Sequence, residues 1–507
     1  MSSIRTLGAV VVLVGLASSC GPSELAASPT PDGQGTVEQH ADARCPPDFW
    51  TQDCSHSHGL CKVPTCHLHL WTYDYSAEKG RCFLKKTDTY VCAPPLPNCG
   101  GCTSNAQCPA GQECHQKVVG DPTNPVCTTG ICKERRNASA ERLAIVPVTP
   151  FRIVDTRSNG ERLSDGEWRQ FAVPRLPSWA TAMVINVTVV DPDGAGFVSV
   201  SAENVVRAST LNFGAFSTTA NLTVVGLDAG GQISAVVGGA SADVVMDVVG
   251  YTTLEGAADW NRSLWFNSIT PIRLLDTRAS DVPTMVCAGS PVKVNVGHPA
   301  SPGLRNARSL FANITVVSPT ASTFVRAYAW GSSPPGTSSV NAAAGAGAVP
   351  NLALVNTAPD EFGNRSIAVE VGAGCAHVVV DAMGYFTPDG EPVTVLPTPQ
   401  RTFDSRTWRP LGAGETIVVG PIASGLSGGM FNLTVTAPAA AGFLSIYPAD
   451  SEFPGTSNLN FSAGETRAVM AATRLDGAGR VKITNGAPGP VHVILDQLGG
   501  FTPDPRF

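Results

Sequence analysis

Two arginines and an acid recur at fixed spacing three times in this chain. The frame is P-x-R-x-x-D-[TS]-R, running from Pro150 to Arg157, from Pro271 to Arg278 and from Pro399 to Arg406. A guanidinium holds a carboxylate or phosphate through two parallel hydrogen bonds, so such a set could bind an anion, assist catalysis or pair internally. Each frame is followed much later by an apolar run carrying one acid: Asp247, Asp381 and Asp496. An unpaired carboxylate among aliphatic side chains is costly. The expectation is therefore a structural ion pair per copy, drawn from Arg152, Asp155, Arg157 and Asp247, from Arg273, Asp276, Arg278 and Asp381, and from Arg401, Asp404, Arg406 and Asp496. A signature arginine would meet the signature acid or the closing acid and pin the first and last strands together. A ligand site and catalysis are the alternatives.

A second group of reactive residues lies near the N-terminus. His56 and His58 fall between Cys54 and Cys61, and His67 and His69 follow Cys66, a mixture that suits zinc or copper. Cys99 and Cys102 have the C-x-x-C spacing of thiol–disulfide exchange, but their two intervening glycines oppose the helix that activates such a thiolate. Twelve cysteines lie in this region: Cys45, Cys54, Cys61, Cys66, Cys82, Cys92, Cys99, Cys102, Cys108, Cys114, Cys127 and Cys132. That density reads as a disulfide scaffold over residues 45–134, in which the cysteines pair and the four histidines are merely exposed. Cys287 and Cys375 occur only in the middle copy of the frame, near its start and end, and are expected to bridge.

The elements that must position the frame also repeat. The signature acids are 121 and 128 residues apart, a period of whole domains rather than of a solenoid. Each copy continues with an N-x-T run (Asn186, Asn313, Asn432), a turn, a short run opened by or containing Phe197, Phe324 or Phe443, an asparagine-centred segment, and the closing apolar run. These runs are short, rich in Val, Ile, Thr and Phe, and bounded by Gly, Pro, Asp and Asn. The reading is all-β: three tandem antiparallel β-sandwich domains at 145–255, 266–390 and 391–507, preceded by the small disulfide-rich module, with a closed barrel as the alternative topology. Asp191-Pro192-Asp193-Gly194 is read as a hairpin turn rather than a calcium loop, since the other copies have no acids there.

The arrangement resembles a domain repeated in secreted and surface proteins of actinobacteria and related bacteria, whose pattern continues N-[VL]-T-V, G-F, S-N-L-N-[FY] and D-V-x-G-[YW]-F; the middle copy departs most, with Thr323 before Phe324 and no aromatic after Asn341, and Ser405 replaces threonine in the third. That resemblance implies an extracellular β-module with no settled activity. Cys99 to Cys114 resembles small cysteine-rich repeats of bacterial surface proteins and, in its spacing, the N-terminal cysteine-rich region of Dickkopf proteins, which implies a binding or spacer module.

The first twenty residues read as an export signal: Arg5, an apolar run from Leu7 to Ala17, then Leu16-Ala17-Ser18-Ser19-Cys20. This end resembles the lipobox of bacterial lipoproteins, which implies lipidation at Cys20; an ordinary secretory signal is the alternative. Removing Cys20 leaves fourteen of the fifteen cysteines, an even number. Residues 21–44 then read as a flexible tether with a reach of roughly 25–30 Å.

The net charge of −7 supplies no basic footprint for nucleic acid. No hydrolase, zincin, phosphate-loop or dinucleotide motif is present, and no cofactor is expected. His298, His377 and His492 are the only histidines in the repeats, none beside a nucleophile. The expectation is a non-enzymatic surface protein, extracytoplasmic and attached to the bacterial envelope membrane through its lipid, that binds a protein or polysaccharide partner. The alternative is a purely structural envelope or stalk component, and a metal-binding or thiol-redox module in 45–134 is a more distant one.

Overall fold

The computed structural model describes residues 143–503, except 203–204, 229, 255–256, 258 and 280–282, together with the strand segments 61–62, 81–85, 89–93, 98–101, 112–121 and 124–134. Two compact units divide at residues 136 and 137. In the first, Cys61–Lys62, Thr89–Ala93 and Arg81–Lys85 form one three-stranded sheet, and Asn98–Gly101, Asn124–Glu134 and Gln112–Asp121 another. Backbone register places Cys82 opposite Cys92 and Cys114 opposite Cys132. The expected sites at Cys20, Cys45, Cys54, Cys66, Cys102, Cys108, His56, His58, His67 and His69 lie outside the described residues.

The second unit holds the three repeats as antiparallel sandwiches. In the first repeat, the inner sheet runs in the order 218–226, 182–190, 243–254 and 143–155, and the outer sheet in the order 211–213, 196–201, 232–238 and 168–172. The signature therefore sits on an opening strand, Leu143–Asp155, paired with the closing strand, Asp243–Leu254, which in turn pairs with the N-x-T strand, Ala182–Val190. The second and third repeats follow the same plan, with inner strands 348–356, 309–317, 375–387 and 265–276 and then 467–474, 428–436, 492–501 and 393–404. The phenylalanine at this landmark packs as a lid over a glycine that ends or directly follows the adjacent strand. A Cβ at Gly238, Gly372 or Gly486 would strike the ring of Phe197, Phe324 or Phe443. Asp191, Ser318 and Ala437 share a left-handed backbone (φ 47°, 49° and 48°), so the same turn recurs whether or not an acid is present. In the middle repeat Cys287 and Cys375 stand opposite in register and form a disulfide across 88 residues. A bridge of this kind typically stabilises by about 2–4 kcal/mol.

The repeats are not beads on a string. The opening strands of the first and third meet at Val393 and Leu143, fusing their inner sheets into one of eight strands. Besides a core inside each sandwich, a fourth core is shared by all three, containing Val184 and Leu222, Phe266, Phe311 and Phe386, and Met430 and Phe501. Phe266 stacks on Phe501 with centroids 3.7 Å apart. Each such fully buried ring contributes about 1.5–3 kcal/mol. This explains why the N-x-T strand is buried at eight consecutive positions: Met183, Ile185 and Val187 face their own sandwich, while Ala182 and Val184 face the shared core.

Around the shared core the edge strands 218–226, 348–356 and 467–474 meet in a ring, and a sheet edge must be covered or paired. Asn221 Oδ1 accepts from the backbone N–H of Met470 at 2.8 Å, and Asn351 Oδ1 accepts from that of Leu222 at 3.2 Å. Their amides donate onward to Asn432 Oδ1 and Asn186 Oδ1, both at 2.9 Å. The matching position in the third repeat, by register against the residue after the N-x-T asparagine, is Val469. The third junction thus lacks this link, and Asn313 Oδ1 is buried without a partner. Asn351→Val reproduces that defect at a second junction. It is expected to cost about 1–3 kcal/mol in urea unfolding with unchanged slope, whereas an unchanged midpoint would mean these amides do not hold the ring together.

Candidate functional site

Cross-strand register aligns the repeated polar residues into one row per repeat. Arg152 stands opposite Asp247, and Asp247 opposite Asn186. The equivalents are Arg273, Asp381 and Asn313, and Arg401, Asp496 and Asn432. Residues opposite one another share a face of the sheet. Here that face looks toward the neighbouring repeat.

The arginine has both of the partners weighed for it. Arg152 Nε and Nη2 donate to the two oxygens of Asp247 at 2.8 and 3.2 Å, and Nη1 donates to Asp155 Oδ2 at 2.9 Å. Arg157 closes on Asp155 from the other side at 2.8 and 2.7 Å. The pattern repeats at Arg273, with Nε and Nη2 on Asp381 at 2.8 and 3.2 Å, and at Arg401 on Asp496 at 2.8 and 3.3 Å. Arg278 and Arg406 hold Asp276 and Asp404 as Arg157 holds Asp155. The Asp247 side chain is 1 % exposed against 34 % for Arg152, so the row carries its charge from the interior outward. Burial pushes the carboxyls of Asp247 and Asp381 above the ordinary range, and the bonds from Arg152 and Arg273 pull the other way. The bonds from Arg157 and Arg406 lower Asp155 and Asp404 to about 2.

Beyond the carboxylate, the row ends in a contact between repeats. Asn186 Nδ2 donates to the carbonyl of Ser338 in the second repeat at 2.9 Å, Asn313 to Ser457 in the third at 2.7 Å, and Asn432 to Ser209 in the first at 2.7 Å. Each accepting serine is braced by a hydroxyl bond to the asparagine three residues on: Asn212, Asn341 and Asn460. Nothing in the N-x-T run itself places its asparagine against a loop of the next repeat. The recurring S-x-x-N spacing was the available signal, and it reads as a turn within one copy unless the cyclic packing is known.

The third signature residue braces the closing strand. Thr156, Thr277 and Ser405 accept from the backbone N–H of Val244, Val378 and Val493 at 3.0, 3.0 and 2.8 Å. Their hydroxyls also meet Asp243 at 2.6 Å and His377 and His492 at 3.1 Å each. Both histidines thus have a specific partner.

Two concave regions lie apart from this framework. One, of about 510 Å³, opens where the three edge strands begin and is lined by Phe216, Phe324 and Arg467. Arg467 is 9 % exposed, its Nε has no partner, and it meets Glu465 at 3.2 Å; burial lowers its pKa. The other, of about 930 Å³, lies at the foot of the middle repeat. Among the described residues no group of three or more His, Cys, Asp or Glu side chains is placed to hold a metal ion.

Removing the guanidinium leaves a buried carboxylate alone, so Arg152→Ala is expected to cost about 3–5 kcal/mol in chemical unfolding, with part regained in Arg152→Ala/Asp247→Ala. Strict additivity of the two changes would disprove the coupling. Asp155 and Asp404 have folded-state pKa values below the unfolded one, so their contribution is complete above about pH 4 and lost as pH falls toward 2. Asp155→Asn should flatten that acid decline; an unaltered profile would place it elsewhere.

No family model matches the chain, and no curated protein matches it. Among solved structures, a chain described under the triple jelly roll fold and turret assembly in an archaeal virus is 10% identical, covering 80% of this chain and 98% of that one at a TM-score of 0.15. A chain of Sulfolobus turreted icosahedral virus is 9% identical, covering 48% of this chain and 91% of that one at a TM-score of 0.14. Likeness of this degree carries no argument, and the fold is read from the chain's own sheets.

Proposed function

We propose that this chain is a lipid-anchored, extracytoplasmic surface protein that binds a protein or polysaccharide partner without catalysing a reaction. The signature acids support the non-catalytic part, because each is committed to arginines and Asp155 and Asp404 are too weakly basic to accept a proton near neutrality. The three repeats form one body around a shared core, which suits a rigid platform for loops that differ between copies.

The observation that carries the binding reading is Phe216. Counting four residues on from Asn212, Asn341 and Asn460, the three copies have Phe216, Gly345 and Gly464. All three adopt positive φ, at 55°, 69° and 74°. Glycine takes that conformation freely, whereas phenylalanine there is strained and its ring is 78 % exposed at the rim of the 510 Å³ pocket. An exposed aromatic held at a backbone cost is a feature of recognition surfaces rather than of packing.

Phe216→Gly separates function from stability. It should unfold at the same or higher denaturant concentration while losing most capture of its partner, measured on a glycan array and by pull-down from envelope extract beside the unchanged protein. Equal capture by both proteins would overturn the role of this rim. Absence of selective capture by the unchanged protein would leave the purely structural alternative.

A further inference from the structure

We infer that the middle repeat carries a separate binding cleft for an acidic saccharide, a ligand combining a single-charged carboxylate with many hydroxyls. The cleft of about 930 Å³ is lined by Arg305, Arg308, Arg365, Tyr385, Asp389 and Glu391. Its size falls in the range of small-ligand sites, typically about 300–1,000 Å³.

Three arginines face this cleft, and among the described residues none of them forms an ion pair. Elsewhere in the repeats many arginines meet a carboxylate, as at Arg152, Arg273, Arg401, Arg409 and Arg474. Here, among the described residues, Arg305 donates to the carbonyl of Pro302 at 2.8 Å and to no carboxylate. Arg365 is half-buried, and burial together with the charge of Arg308 lowers its pKa, so the two guanidiniums repel and would gain from a shared anion. Arg308 and Arg305 belong to this copy alone: counting back five and eight residues from the N-x-T asparagine, the first repeat has Thr181 and Ser178 and the third Ser427 and Ser424. A structural need common to the fold would have placed them in all three.

The polar groups around them define the ligand further. In the first repeat the hydroxyl of Tyr251 donates to Asp259, whereas the corresponding Tyr385 hydroxyl has no hydrogen-bond partner among the described residues and reaches the cleft over Gly303, where a Cβ would overlap it. Asp389 is exposed, and Glu391 is half-buried with Oε2 unpartnered. Two acids beside three arginines leave room for one negative charge. They would repel a phosphate dianion and accept hydrogen bonds from hydroxyls. At the adjoining turn Phe362 is 79 % exposed next to Gly363, which lines the cleft, offering a ring face for the C–H face of a sugar. This cleft is lined by none of the residues around Phe216, so the two sites are independent.

The test is calorimetric titration of the purified full chain with aldotriouronic acid, a trisaccharide bearing one uronic carboxylate, and with maltotriose and inorganic phosphate. Aldotriouronic acid is expected to bind at least tenfold more tightly than maltotriose or phosphate. Arg308→Ala/Arg365→Ala should weaken it at least tenfold, and Tyr385→Phe several-fold, with unfolding midpoints unchanged. Arg409→Ala, which removes a surface cation in the third repeat, should leave binding unaltered. Equal affinity for maltotriose would overturn the acidic specificity, equal affinity for phosphate would reduce the cleft to a general oxyanion site, and binding indifferent to both variants would remove it from this cleft. Loss of the cleft with capture through Phe216 intact leaves the binding reading standing; loss of Phe216-dependent capture with aldotriouronic acid still bound leaves the cleft standing.

Discussion

A carboxylate that is 1 % exposed inside a β-sheet governs much of this architecture. Asp247 and its two equivalents cannot be buried alone, so each draws an arginine from the opening strand, and each arginine draws a second carboxylate near the surface. Opening and closing strands are fastened in register by these bonds. The third strand then brings its asparagine beside the fastened pair, where it bonds the serine carbonyl of the next repeat. The motif is thus both the seal of a sandwich and the base on which sandwiches dock.

Docking resolves a problem intrinsic to such sheets. Each inner sheet ends in a strand with unpaired backbone groups and is apolar on both faces, so an isolated repeat would expose an edge and a hydrophobic surface together. Closing three repeats into a ring covers both at once. The asparagines at 221 and 351 serve the edges, the phenylalanines fill the centre, and Val469 shows that one junction tolerates losing its polar link while its neighbours remain.

With the framework so committed, what varies between copies becomes informative. A phenylalanine in place of glycine at one turn and two arginines in place of serine and threonine before one strand serve no need that the other repeats share. Binding residues on loops above a rigid scaffold are a common arrangement, because the scaffold bears the folding requirement and the loops are free to differ.

The sequence by itself determined the strands, the three-fold repetition and the pairing of arginine with aspartate. Alternating β-branched residues, turn residues and a buried acid are local signals, and a charge in an apolar run demands a partner wherever the chain goes. The bridge between Cys287 and Cys375 was legible for a similar reason, two cysteines isolated in one copy. Only the tertiary structure decided that Asn186 reaches Ser338, that Asn221 and Asn351 cap foreign edges, and that Arg305, Arg308 and Arg365 share a cleft with Tyr385. Those contacts join residues from different repeats or distant loops, and nothing in hydrophobic period or residue spacing records which surface of one folded unit will lie against the next.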